Sequence, residues 1–231
     1  MSPTEFACLW VLGACAIGAS QTKTPPDADF FPMTKGTYWV YRGRVAGAAG
    51  ASSTVEWKSE VLDSAERGRF KIALLLGHPW DLPAYEPAGQ RGCYLLVGDN
   101  NARFYLSQPE DACSIPEGEP GADLTDNENL ILVMPASEGD LFGQDPDTPP
   151  RTDSMYAWSV GRVGKVNLAG IKGVAATVLR TEYVLGYSTL PDYQVVTYVQ
   201  GIGVTAFEYV HHGTVSEVDV KLVEFHVGPQ R

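Results

Sequence analysis

From Phe30 onward this chain alternates apolar and polar side chains with a period of two, and that pattern excludes most architectures at once. The segment STVEWKSEV sets Val55, Trp57, Ser59 and Val61 against Thr54, Glu56, Lys58 and Glu60, and SEVDVKLVEF sets Val218, Val220 and Leu222 against Glu217, Asp219 and Lys221. Successive side chains of a strand point to opposite faces, so each segment reads as a half-buried strand with one wet face. TYWVYRGRV, RFKIALLLG, LILVM, VAATVLRTEYVLGY and YQVVTYV are rich in the β-branched and aromatic residues that pack well on a pleated sheet. No segment holds three turns of helical periodicity, and short helices are expected only near Glu138 or between strands. The expected fold is mainly β: a single antiparallel curved sheet or open β-barrel-like domain with few short helices.

The first 29 residues follow a different pattern. FACLWVL is a short apolar run, too short to span a bilayer, which takes about 18 apolar residues. It leads into Leu12-Gly13-Ala14-Cys15, which resembles the bacterial lipobox, where a peptidase cuts before the cysteine and its thiol is lipidated. The leading MSPTEF departs from the usual signal by having no Lys or Arg and by containing Glu5; a start codon placed elsewhere would account for this. AIGASQTKTPPDAD is small, polar and proline-containing, the composition of a flexible tether. These features divide the chain into a signal peptide over 1–14, a tether over 15–29 with Cys15 as the lipidation site, and a β-rich domain over 30–228. QDPDTPPRTD, near residue 150, is the strongest candidate for an internal linker.

Charge narrows the partners. The formal net charge is -11, which excludes nucleic acid as a ligand because phosphate binding needs clustered Lys and Arg. It also argues against attachment to membranes by charge alone, so any membrane contact is expected through the N-terminal lipid. From Phe104 to Pro150 there is no basic residue, while acids accumulate, the composition of a solvated loop surface.

With Cys8 and Cys15 in the leader, Cys93 and Cys113 are the pair left in the body. GCYLLVGDNNARFYLSQPEDAC reads as two strands around the turn Asn100-Asn101, which places Cys93 opposite Gln108 and brings Cys113 near it after one more bend. Export favours a disulfide there; two buried free thiols are the alternative in a reducing compartment.

Several motifs suggest chemistry. In YVQGIGVTAFEYVHHG, Gly201, Gly203 and Ala206 match the dinucleotide spacing G-x-G-x-x-G/A. The residues that follow are β-branched and aromatic and break at Gly213, so no helix is available to receive a pyrophosphate. The glycines fit a bulge or close backbone approach within a sheet. His211 and His212 are strand neighbours that point to opposite faces, so they ligate one metal only if Gly213 supplies a turn. Zinc would need His78, His226 or carboxylates as further ligands. The acids of DLTDNEN, Asp123 and Asp126 among them, are weak candidates for calcium, and they lack the spacing of an EF-hand. GYSTL around Ser188 is not a nucleophile elbow, because Leu190 stands where the second glycine belongs.

Most aromatics are expected in the core. LLLGHPWDLPAYEP differs, since a proline-punctuated loop cannot bury all it carries; His78, Trp80 and Tyr85 are therefore the candidate rim for a ligand or partner. A faint internal echo also appears: Pro32-x-x-x-Gly36-x-x-Trp39 returns as Pro135-x-x-x-Gly139-x-x-Phe142.

FFPMTKGTYWVYRG, through Phe31, Pro32, Gly36, Trp39 and Tyr41, resembles the F-P-L-x-x-G-x-x-W-x-Y opening of uncharacterised exported bacterial lipoproteins, with Met33 in place of the usual leucine. Many of those also have a later strand like the one holding Gly201 and Gly203. The resemblance implies a β-rich domain facing the cell envelope and implies no activity. The expected function is a non-catalytic, lipid-anchored envelope protein, a binding or structural module for a small apolar ligand or an envelope protein, with the periplasm as the expected side. The alternative is an exported hydrolase with a His/carboxylate site, with or without a metal. An apolar cavity without convergent polar groups favours the first, and a cavity gathering His211 or His226 with two carboxylates favours the second.

Overall fold

The computed structural model describes residues 30–47, 51–83, 90–109, 113–144, 155–189, 192–211 and 215–229. The strands are β1 (Tyr38–Gly47), β2 (Ser52–Arg67), β3 (Phe70–Leu76), β4 (Cys93–Asp99), β5 (Arg103–Ser107), β6 (Leu130–Val133), β7 (Leu141–Phe142), β8 (Trp158–Asn167), β9 (Leu179–Ser188), β10 (Tyr193–Val199), β11 (Gly203–Val210) and β12 (Val215–His226). Among the described residues, helix is confined to one turn, α1 (Ala122–Thr125), and a 3-10 turn at Pro79–Asp81; Glu138 sits in a tight turn.

All twelve strands form one sheet in the order β6-β5-β4-β3-β2-β1-β12-β11-β10-β9-β8-β7. Every named pair is antiparallel, and the two ends of the order, β6 and β7, come back against each other to make a nearly closed barrel. The sheet is two six-stranded meanders joined by β1 and β12. In such a meander alternate connections fall at opposite ends. The near end carries the β2–β3, β4–β5, β6–β7, β8–β9 and β10–β11 turns together with both ends of the described chain. The far end carries the β1–β2, β3–β4, β5–β6, β7–β8, β9–β10 and β11–β12 connections.

The alternation read in the sequence is the inside and outside of this barrel. Trp57, Ser59 and Val61 of β2 and Val218, Val220 and Leu222 of β12 point in and are buried, in a core shared with Trp39, Tyr41, Leu185, Tyr198 and Phe207. Their neighbours point out and pair across strands: Arg42 with Glu56 at 2.7 Å, Arg44 with Glu217 at 3.0 Å and Arg162 with Glu182 at 2.6 Å. Exposed pairs of this kind contribute under about 1 kcal/mol each. A charged outside around an apolar inside is the reverse of a lipid-spanning barrel.

β3 and β4 do not alternate, because both of their faces are covered. Ile72, Leu74, Leu95, Val97 and Tyr105 form a second cluster on the outer wall, packed against Ile115 and Leu124 of the long β5–β6 connection. Cys93 and Cys113 are joined by a disulfide, Cα to Cα 5.5 Å, which fastens this connection to the start of β4.

The internal echo is a repeated turn. Asp140 N–H donates to the Ser137 carbonyl as Thr37 N–H does to Thr34, each at 3.0 Å. Gly36 and Thr37 exchange bonds with Val61 of β2 just as Gly139 and Asp140 do with Val160 of β8, and both glycines have positive φ, 83° and 89°. The β4–β5 and β10–β11 turns match as well, with Asn100 N–H on the Arg69 carbonyl at 3.2 Å and Gln200 N–H on the Thr181 carbonyl at 3.0 Å.

Phe30 joins these two turns at the near end. Its N–H donates to Asn101 Oδ1 at 3.0 Å, and its carbonyl accepts from Gly201 N–H at 3.0 Å. Its ring lies 5.3 to 5.6 Å from Phe31, Phe104 and Tyr183, so the start of the described chain closes the near end of the core.

Candidate functional site

The β3–β4 connection at the far end is built around His78. Gly77, at φ 78°, turns the chain out of β3, and its N–H donates to the Gly92 carbonyl at 2.8 Å. His78 caps the 3-10 turn, its Nδ1 accepting from Trp80 N–H at 3.3 Å, and Pro79 provides a first position that needs no N–H donor. Asp81 fastens the turn to β4, accepting from Tyr94 Oη at 2.7 Å and from Gly92 N–H at 3.0 Å. Burial raises the Asp81 pKa, and the bonds from Tyr94 and Gly92 oppose that rise.

The structure turns His78 inward. It is 6 % exposed, edge-on to Trp80 at 5.1 Å and 5.5 Å from the Tyr94 ring, while Trp80 is half-buried and Tyr85 lies outside the described residues. Burial lowers the His78 pKa to about 3, so the ring is neutral. With Nδ1 accepting, the proton of the neutral ring is assigned to Nε2, which leaves that nitrogen no lone pair for a general base.

His78 and Ser59 are the polar members of an otherwise apolar cavity that includes Trp39, Tyr41, Leu96 and Val204. It has about 20 Å³ of free space, enough for one water, whereas small-molecule sites run to roughly 300 Å³ or more. Ser59 Oγ and the indole nitrogens of Trp57 and Trp80 are buried with no hydrogen-bond partner among the described residues. Among the described residues, the side chains that line this cavity nearly fill it.

His211 and His226 lie apart from this cavity. His211 meets Asp192 at 3.3 Å and stacks on Tyr209, and His212 lies outside the described residues. His226 stacks on Tyr38 at 5.1 Å, beside Glu224, which accepts from Tyr38 Oη at 2.8 Å and Lys172 Nζ at 3.0 Å. Those two bonds lower the Glu224 pKa. Asp126 Oδ1 accepts from Asn129 N–H at 3.1 Å, whereas at Asp123 it is the backbone carbonyl that accepts from Asn129 Nδ2, at 2.8 Å. Among the described residues, no three His, Cys, Asp or Glu side chains gather as metal ligands.

Gly201 and Gly203 serve packing. Gly201 bonds Phe30, and Gly203, at φ 90°, follows a register shift between Thr197 and Tyr198 and lies under the Phe31 ring.

One feature escaped the sequence reading. Tyr156 and Tyr193 are the exposed aromatics among the described residues, at 50 % and 39 %. Tyr156 has φ 56°, unusual for a bulky side chain. Its N–H donates to the Ser188 carbonyl at 2.9 Å, and Tyr193 pairs with the same Ser188 across β9 and β10. Tyr193 Oη donates to Glu208 Oε1 at 3.1 Å. Both tyrosines follow proline-and-aspartate loops, and that position was the available signal, because loop-borne aromatics tend to be left outside a core.

No family model and no curated relative matches the chain. Among solved structures it is similar to a protein inferred to be exported, with a YmcC-like fold, from Bacteroides fragilis, at 15 % identity and a TM-score of 0.41 over 86 % of this chain and 99 % of that one. It is also similar to an inferred lipoprotein from Parabacteroides distasonis, at 14 % identity and a TM-score of 0.38 over 87 % of this chain and all of that one. Likenesses this distant transfer neither fold nor activity, and what the site can do is read from this chain's own residues.

Proposed function

We propose that this is an exported envelope protein, lipidated at Cys15 and tethered through residues 16–29, whose barrel is a non-catalytic module that meets another envelope protein at its far end. The observation that carries this reading is the position of Phe30. The described chain begins at the near end, bonded between the Asn101 and Gly201 turns, so a lipid joined through a short tether leaves the far end clear of the membrane. The Cys93–Cys113 disulfide supports an oxidising compartment. The small size of the cavity beside His78 favours a protein partner over a small apolar ligand there. The hydrolase reading has less support, because His78 is neutral with its lone pair engaged.

Fractionation of Cys15→Ser against the wild type in a bacterial host that processes lipoproteins tests the tether. The wild type is expected in the membrane fraction, released by detergent and resistant to high salt, and the variant is expected to leave that fraction. A wild type found in the soluble fraction would overturn the reading.

A further inference from the structure

Resting on the reading of the far end as the presented surface, we propose that Tyr156 and Tyr193 form a docking site for a Lys/Arg-rich segment of a partner protein. Three observations converge on it. The first is exposure: these are the exposed aromatics, and they flank the same residue, Ser188. Tyrosine is a rigid amphipathic contact that loses little entropy when a partner covers it. The second is backbone conformation: Tyr156 sits at φ 56°, unusual for a bulky side chain, with half its surface in water. Such conformations tend to persist where a function requires them.

The third is charge. Among the described residues, the far-end connections contain one basic residue, Arg91, against Asp81, Asp192 and the acids of the β5–β6 connection, whereas the near-end turns and terminal segments contain Lys35, Arg69 and Lys172 against Glu138 and Asp140. The β5–β6 connection covers the outer wall and its Glu119 lies beside Gly68 of the near-end β2–β3 turn, so the acids that bear on the tyrosines are those next to them. Beside the tyrosines stand Glu208, which accepts from Tyr193, and Asp192, which meets His211. A guanidinium or ammonium group over a tyrosine ring with a carboxylate at its edge is held by cation–π attraction and ion pairing together. The surrounding negative field steers a basic partner to this end and repels an anionic membrane.

The test is fluorescence polarisation of a labelled octa-arginine peptide with the detergent-solubilised full chain. The wild type is expected to bind at 50 mM NaCl. Tyr156→Ala/Tyr193→Ala is expected to bind at least tenfold more weakly, and Tyr156→Phe/Tyr193→Phe, which keeps both rings, within about threefold of the wild type. Circular dichroism confirms that each variant is folded. Equal binding by the alanine double variant would show that acidic charge alone attracts the peptide, and would overturn the proposal. So would an absence of wild-type binding, or displacement of the peptide by a neutral hexasaccharide. None of these outcomes touches the Cys15 tether, which the fractionation reads separately.

Discussion

The ring of Phe31 fills the space that a β-carbon on residue 203 would need: a Cβ built on Gly203 falls 2.8 Å from Phe31 Cδ1. Gly203 also has φ 90°, where side chains are strained. Gly203→Ala is therefore expected to destabilise the protein by about 2 kcal/mol or more. Gly47→Ala is the control, since no described residue lies within 4 Å of its built Cβ, and it should change little. Urea denaturation of the two variants reads the difference, and equal stability would mean that the Phe31 seat is not fixed.

The disulfide should matter for the same reason that the β5–β6 connection is long. Closing a loop with a sequence separation of 20 is expected to stabilise the fold by about 3 kcal/mol in the chain-entropy model. Cys93→Ser/Cys113→Ser should melt at a lower temperature by a corresponding amount, and reductant should lower the wild type alone. A wild type indifferent to reductant would count against the bridge.

His78 gives the stability a pH dependence with a definite sign. Its native pKa is depressed to about 3 from an ordinary 6.5. The contribution is whole above pH 6.5; as pH falls from there toward 3, the unfolded chain takes up a proton that the native ring refuses. Stability then falls by about 1.4 kcal/mol per pH unit from this group. His78→Asn keeps an acceptor for Trp80 N–H and removes the titration, so its stability should fall less between pH 6 and pH 4. Parallel slopes for variant and wild type would show that His78 is free to protonate.

Ser59 is expected to behave unlike a bonded core residue. Its buried Oγ has no partner, so Ser59→Ala removes an unsatisfied polar atom rather than a hydrogen bond. The variant should be as stable as the wild type or up to about 1 kcal/mol more stable. A loss above about 1 kcal/mol would mean that a water or ligand bonds Ser59 in solution.

Much of the fold was legible because barrel strands obey local rules. The buried set Trp57, Ser59 and Val61 is the face that alternation selects, and the Asn100-Asn101 turn was marked by residues that tolerate positive φ, 49° and 54° here. The register at that turn was one residue out. Asp99 pairs with Arg103, so three residues form the loop, and extending the ladder puts Cys93 opposite Pro109 rather than Gln108. β8 passed unmarked because Gly161 and Gly164 interrupt its alternation, and β7 is too short to show a period. The far-end tyrosines were illegible for a different reason. Whether an aromatic is buried depends on which strands lie beside it, and in β9 through β11 that is decided by pairing between segments rather than by local pattern. His78 shows the same limit, being carried by a loop yet packed inward against Trp80 and Tyr94.

The central claim, a disulfide-bonded barrel tethered by lipid at Cys15, is tested most directly by native mass spectrometry of the protein extracted gently from its own membranes. The predicted mass is that of a chain beginning at a diacylglyceryl-modified Cys15 and lacking the two hydrogens lost in joining Cys93 to Cys113, with no small molecule retained. An unmodified chain beginning at Met1 with free thiols would contradict the account, and a retained zinc ion would contradict its non-catalytic reading and return attention to His211.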